Sequence, residues 1–306
     1  MVLTIMLLSK HNIGIISFLY CFTGIAPSAF SQRSICLQDI GSRKPIQYAN
    51  IYIGNAVYYT NVHGHLDIPD TVSSLKISHI CYVDTTIILP NIKENIIYML
   101  PKIYEIPEVV VVNKSNYKHE QVGPIRKKEH LFFGGRSGLY IGVFIPYKMD
   151  YENKVINSIV TDLYNNKTLI HGSYEKNENA VLRFDLRLPD SQTNVPSSYS
   201  MIQGGIIVDD ISDGHKIIPL VHPISFPHSG IFVIIEWIVK GECKENIIYN
   251  PHIRMSKSDK SSVSWLKREY RQENWVNWNM DEGMRQLQKN ITEKYINANI
   301  GILLSE

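Results

Sequence analysis

Alanine is nearly missing from this chain. Its 306 residues hold only 6 alanines, against 44 isoleucines and 18 tyrosines. The best helix former is scarce while β-branched and aromatic residues abound, which disfavours helical bundles and coiled coils and favours sheets. Excess charge is lacking as well. A formal net charge of +2 with 44% hydrophobic residues excludes wholesale disorder and gives no electrostatic reason to expect nucleic acid or an acidic partner. No run approaches the roughly 20 apolar residues of a membrane-spanning helix. No Cys-x-x-Cys pair occurs among the 4 cysteines, which removes thioredoxin-like redox chemistry and zinc knuckles. None of the 11 histidines is followed three residues later by Glu, and no phosphate-cradling glycine loop is present. Nothing in the sequence implies a cofactor or a bound metal.

What is present begins with an export signal. Lys10 and His11 precede the apolar run Ile13 to Ile25, and the small residues Ala26, Pro27, Ser28, Ala29 and Ser31 follow. This order of charge, apolar segment and small-residue site predicts a cleaved signal peptide over residues 1–31, with Ala29 at the minus-three position. Three cysteines then remain, Cys36, Cys81 and Cys243, so at most one internal bridge can form. Cys36 and Cys81 lie in apolar strand-like runs and read as small buried hydrophobes, with a bridge between them as the alternative.

From Arg33 onward, short alternating runs are separated by turn residues every eight to twelve positions, the signature of a β-sandwich. Strands are expected at Ile35 to Asp39, Ile46 to Ile53, Val57 to Thr60, His65 to Ile68, Leu75 to Cys81, Thr85 to Leu89 and Ile96 to Leu100. Gly41-Ser42, Gly54-Asn55, Asn61 to Gly64 and Pro69-Asp70 supply the turns. The succession Asp39, Gly41, Lys44-Pro45-Ile46, Tyr48 to Ile53, Thr60-Asn61, Gly64, Leu66-Asp67-Ile68, Leu75 to Ile80, Tyr82 and Leu100 to Val112 resembles the carboxypeptidase regulatory-like domain. Cys81 stands where that family usually has Gly. The resemblance covers residues 32–112. It implies a seven-stranded, transthyretin-like sandwich of exported envelope proteins, often a module at the N-terminus of outer-membrane receptors, and it implies no peptidase activity.

Residues 113–129 are polar and basic, with Gly123-Pro124 inside, and read as a linker. After Gly134-Gly135 the β pattern resumes at Gly138 to Pro146, Lys154 to Tyr164, Val181 to Leu188, Gly205 to Val208, Lys216 to Pro219, Ile231 to Val239, Val263 to Lys267 and Ile300 to Leu304. Residues 130–306 are thus expected to form a second sandwich, and the chain as a whole is expected to be all-β. In Leu182 to Leu188 the apolar residues alternate with Arg183, Asp185 and Arg187, as in a sheet with one solvated face. Ile231 to Ile238 reads as a central strand whose Glu236 pairs with Arg183 or Arg187. The stretches Leu182 to Leu186, Gly205 to Val208, Ile224 to Pro227 and Gly230 to Trp237, with Pro196, resemble the C-terminal sandwich of exported proteins carrying the same first module. That resemblance implies a jelly-roll-like domain with no activity attached. Met280 to Asn297, with Met284, Leu287 and Ile291 in step, reads as the single helix.

Candidate chemistry is thin. His63-Gly64-His65 with Asp67 makes a metal-like trio that reads more simply as a hairpin tip. Ser137 lacks the nucleophile-elbow context and reads as a loop residue. Asp209, Asp210, Asp213 and Gly214 fail the calcium-loop pattern, and Asp213-Gly214 reads as a hairpin turn. Trp265, Tyr270, Trp275 and Trp278 crowd together beside Lys267, Arg268 and Arg271, a mixture suited to sugar or peptide recognition and equally to closing a core. The expected function is a non-catalytic exported module for binding or assembly in the cell envelope, with an envelope protein or a glycan as partner. Carbohydrate binding through those four aromatics is the alternative, and a hydrolase with scattered catalytic residues is the third reading.

Overall fold

The computed structural model describes residues 31–91, 94–103, 119–125, 131–165, 175–209, 212–239, 241–243, 247–258, 263–291 and 294–306. The signal segment therefore lies outside the described residues except for Ser31, as do 113–118 and 126–129 of the connector.

The chain is all-β. Its first half supplies β1 (Gln32–Asp39), β2 (Asn50–Ile53), β3 (Ala56–Tyr59), β4 (His65–Pro69), β5 (Ser74–His79), β6 (Tyr82–Ile88) and β7 (Ile96–Met99). These form a three-stranded sheet, β4-β1-β7, facing a sheet that contains β3-β2-β5-β6. Inward residues such as Leu37, Ile51, Ile68 and Ile77 fill the space between them. Turn chemistry sets the corners. Asp39 Oδ1 accepts the Gly41 and Ser42 amides at 2.9 and 2.6 Å. Gly64 has φ +74°, and a Cβ there would stand 2.7 Å from the Leu37 carbonyl oxygen, so glycine is required.

The second half runs β8 (Glu120–Val122), β9 (Leu131–Gly135), β10 (Leu139–Ile145), β11 (Val155–Tyr164), β12 (Glu175–Asn179), β13 (Val181–Arg187), β14 (Ile206–Val208), β15 (Gly214–Ser225), β16 (Ile231–Ile238), β17 (Gly241–Glu242), β18 (Ile248–Ser258), β19 (Ser264–Arg268), β20 (Val276–Asn277), α1 (Glu282–Ile291), β21 (Tyr295–Ala298) and β22 (Ile300–Ser305). A six-stranded sheet, β14-β13-β16-β10-β19-β20, packs on a larger one built around β18, β11 and β22. Leu182, Phe184, Val233, Ile235, Trp237 and Ile302 lie in the shared core.

Five expectations need correction. The connector is not wholly irregular, because Glu120–Val122 pairs antiparallel with Ile302 to Leu304. Gly134 and Gly135 are not a break before the sheet but the end of β9, where a Cβ on Gly135 would fall 2.0 Å from the Trp237 ring. Strand β18 escapes sequence reading because Asn250, Pro251, His252 and Lys257 blur its period. The helix is shorter than 280–297: Asp281 Oδ1 caps it by accepting the Met284 amide at 3.0 Å, and Tyr295–Ala298 is a strand pairing with β18. Asp213-Gly214 does not close a hairpin, since β14 pairs with β13 while β15 pairs with β11 in the other sheet.

Candidate functional site

Alternation along the six-stranded sheet gives it a second, outward face. It carries Arg183, Asp185 and Arg187 from β13, Phe232, Ile234 and Glu236 from β16, Tyr140 and Phe144 from β10, and Trp265 and Lys267 from β19. The charged end of this face is expected to be solvated, yet Arg183 and Asp185 are 4% and 2% exposed. The reason is a cover that the sequence does not reveal. The β3-β2-β5-β6 sheet of the first half lies against that end, presenting Asn50, Tyr52, Val57 and Tyr59, and β17 crosses over to pair with Tyr58 and Tyr59. Every residue of β16 is buried, Glu236 and Ile238 beneath this cover and Phe232 and Ile234 beneath Phe144, Trp265 and Trp275.

Most of the polar groups caught in this junction are paired, Asn50 Oδ1 and Arg183 Nε being the exceptions. Arg183 Nη1 donates to Glu236 Oε2 at 3.0 Å and Nη2 to the Tyr48 carbonyl at 2.9 Å. The Tyr59 hydroxyl donates to Glu236 Oε1 at 2.6 Å, so both carboxylate oxygens are engaged. Asn50 Nδ2 donates to the Tyr140 hydroxyl at 3.4 Å. Tyr52 donates to Glu269, whose other oxygen lies 2.7 Å from Lys267 Nζ. Arg187 turns instead to Asp185, at 2.6 Å, and Ser200 and the Leu186 amide complete that carboxylate's shell. Burial, reinforced by the Glu236 carboxylate, pushes the Tyr59 and Tyr140 phenols well above their ordinary pKa.

The four clustered aromatics do not share one surface. Trp278 is fully buried in the main core, its ring 5.6 Å from that of Phe133. Tyr270 packs at the junction beside Val57 and Tyr59. Trp265 and Trp275 alone are half-buried on the outward face, at its aromatic end. Trp265 sets its edge on Phe232 with centroids 6.0 Å apart, and Trp275 does the same on Tyr140 at 6.1 Å. Trp275 lies over Gly142, its ring 3.4 Å from where a Cβ on that residue would stand. Phe144, 4.9 Å from Phe232, extends the ledge.

The remaining candidates are spread through the fold. His63 and His65 are exposed at a turn whose amides donate to Asn61 Oδ1 at 2.9 and 3.0 Å, and no cluster of metal-ligating side chains occurs among the described residues. Ser137 is buried, and its hydroxyl donates to Cys243 Sγ at 3.4 Å. Cys36, Cys81 and Cys243 are free thiols, not a bridged pair. Burial pushes Cys81 up to about 11 and Cys243 up to about 12, so neither is a ready thiolate at neutral pH. Among the described residues no helix is long and apolar enough to cross a membrane.

Sequence reasoning named Glu236 and its partner Arg183 but missed Tyr59, Tyr140 and Asn50. The signal for Asn50 was the polar alternation in Asn50-Ile51-Tyr52, which reads equally well as a solvated face. No family model, curated protein or solved structure matches the chain.

Proposed function

We propose that this protein is a non-catalytic, exported module for binding or assembly in a Gram-negative type of cell envelope. In this reading the first sandwich braces the charged end of the six-stranded sheet, and the aromatic end meets the partner. The supporting observation is the pairing of Glu236. Glu236, the acid buried in the central strand, has both oxygens committed, one to Arg183 and one to Tyr59. The purified chain is therefore expected to turn over no general peptide, ester or glycoside substrate, and turnover removed by Glu236→Gln overturns the reading. Export is tested in the same preparation: the envelope fraction is expected to yield a mature chain beginning at Gln32, and cytosolic protein retaining residues 1–31 counts against it.

The half-buried indoles of Trp265 and Trp275 favour carbohydrate as the partner, because flat aromatic faces pack against the C–H faces of sugars. A glycan array is expected to give a signal that Trp275→Ala removes while lowering the unfolding midpoint clearly less than Trp278→Ala does. Absence of any signal leaves an envelope protein as the partner.

A further inference from the structure

Strand β1 sends Ile35 and Leu37 into the core of the first sandwich and Ser34, Cys36 and Gln38 to the outside, while β4 sends Leu66 and Ile68 inward and His65 and Asp67 outward. Cys36 and His65 are direct partners across this antiparallel pair. The hydrogen-bonding pattern fixes how close they come. The Leu37 amide donates across to the Gly64 carbonyl at 2.9 Å, whereas the Cys36 amide turns the other way, to the Asn95 carbonyl at 2.8 Å. Cys36 and His65 therefore form the non-hydrogen-bonded kind of pair, with Cα atoms about 4.5 Å apart and side chains closer than in a hydrogen-bonded pair.

One thiol and one imidazole are thus set side by side on the outer face of the β4-β1-β7 sheet, while the junction with the second half is made by the other sheet of the sandwich. His65 is exposed. Cys36 is 9% exposed, with Ile96 of β7 as its partner on the opposite flank. Gln38 Nε2 donates to the Cys36 sulfur at 3.8 Å, and the thiol faces the His63 and Leu37 carbonyl oxygens at 4.0 Å. The sulfur is already an acceptor, and these long contacts hold its proton weakly.

The donor set decides which ion suits it. A metal ion lying in line between one sulfur and one imidazole nitrogen needs them about 4 Å apart, from bonds of roughly 2.3 and 2.0 Å. Cross-strand partners with Cβ atoms about 4.5–5.5 Å apart can supply that separation. Asp67 lies on the same face, opposite Ser34, one step along the ladder. No group of three metal-ligating side chains forms among the described residues, so zinc, which takes three or four protein ligands, is poorly served. Calcium and magnesium want oxygen donors and are excluded by the sulfur and nitrogen. A soft monovalent ion takes thiolate and imidazole and needs only two donors in line, which singles out copper(I).

We propose that Cys36 Sγ and an imidazole nitrogen of His65 bind a single copper(I) ion on the outer face of the first sandwich. Binding forms one Cu–S and one Cu–N bond and releases the thiol proton to solvent, with no change of oxidation state. The site lies on a different sheet from the Trp265 ledge and does not rest on the carbohydrate reading. It is tested on the purified mature chain, without oxygen and with ascorbate present, by competition with the chelator bicinchoninate for copper(I). One equivalent is expected to bind, and X-ray absorption is expected to show one sulfur and one nitrogen at the metal. His65→Ala, at an exposed position that leaves the fold intact, and Cys36→Ser are each expected to weaken binding about a hundredfold or more, because even the outer partners of metal ligands are worth about ten- to a hundredfold. His63→Ala and Cys81→Ser are expected to leave it unchanged, and zinc is expected to bind far more weakly. The proposal is overturned if the chain takes no copper(I) from the chelator, if His65→Ala binds as the parent does, if Cys81→Ser removes binding, or if zinc binds as tightly as copper(I).

Discussion

Arg183 and Glu236 stand directly opposite each other on neighbouring strands β13 and β16, 3.0 Å apart and almost wholly buried, beneath a sheet that belongs to the other half of the chain. Tyr59 of that sheet supplies the second hydrogen bond to the carboxylate, and Tyr48 supplies a carbonyl to the guanidinium. The pair therefore belongs to both halves. A desolvated ion pair gains little net stability over apolar residues of the same volume, but leaving one partner alone is costly. The junction is consequently specific: only the register that brings Tyr59 and Tyr48 over the pair satisfies it.

Removing one partner should expose that asymmetry. Glu236→Leu is expected to lower the unfolding free energy by about 3–5 kcal/mol, because Arg183 is left as an uncompensated buried charge. The double change Arg183→Met with Glu236→Leu is expected to recover most of the loss. Urea unfolding of the parent, both single variants and the double variant makes the cycle, and additive losses would show that the two side chains do not act as a pair.

Two kinds of buried group are expected to bend the pH dependence of stability. The phenols of Tyr59 and Tyr140 are held well above their ordinary value by burial and then by Glu236. Below about pH 10 the folded and unfolded chains are equally protonated at these groups, and above it only the unfolded chain loses the protons, so stability falls as pH rises. His79 is the converse case. Burial, with the cations Arg183 and Lys102 nearby, holds its imidazole well below the usual value. Above about pH 6.5 it is neutral in both states; below that the unfolded chain binds a proton the folded one refuses, so stability falls as pH falls. A plateau between those limits is expected, with each group contributing a slope of up to about 1.4 kcal/mol per pH unit outside it. His79→Gln keeps an acceptor for the Cys81 amide, which the imidazole Nδ1 takes at 3.1 Å, and should flatten the acid limb in urea titrations. An unchanged acid limb would rule His79 out as its source.

The tryptophans should divide by depth. Trp278 fills the core with no exposed surface, so Trp278→Ala is expected to cost about 3–5 kcal/mol, with loss of any binding following from loss of fold. Trp265 and Trp275 are half-buried on a sheet face, and their alanine variants should cost clearly less in denaturant melts. Equal losses at Trp275 and Trp278 would mean that the ledge is as much a core as the interior.

How far these features were legible depends on whether local period reports the true environment. Leu182 to Leu188 gave the strand and its inward face correctly, because alternation reports which residues share a side. It could not report that a second sheet covers the other side, so Arg183 and Asp185 read as solvated although they are buried. Glu236 was legible as a buried acid only because apolar residues flank it on both sides in sequence. Trp265 and Trp278 look alike in a short aromatic stretch, and what parts them is geometric: Trp265 faces outward from β19, while the chain past β20 carries Trp278 into the core. Strand β18 was hidden by Pro251 and its polar neighbours, and its identity comes from its partners β9, β11, β12 and β21.

The same junction makes the first sandwich dependent on the second. Its sheet is completed at the β3 edge by Gly241–Glu242, and Val57 and Tyr59 on its outer face are 1% exposed only because the six-stranded sheet lies over them. A fragment of residues 32–103 would lose that edge strand, bare an apolar face and leave the Tyr59 hydroxyl without Glu236. An open, flat edge beside exposed apolar side chains invites pairing with another copy. The isolated fragment is therefore expected to melt at a lower temperature than the intact chain and to self-associate in sedimentation experiments, whereas the intact chain unfolds in one cooperative transition. Adding a charge at the bared edge, as in Tyr58→Lys, should suppress the association while lowering the melting temperature further, because it blocks edge pairing but removes a ring packed on the first sandwich's core. A monomeric fragment that melts with the intact chain would mean that the two sandwiches are independent domains and that the Arg183–Glu236–Tyr59 contact adds nothing to the stability of the first.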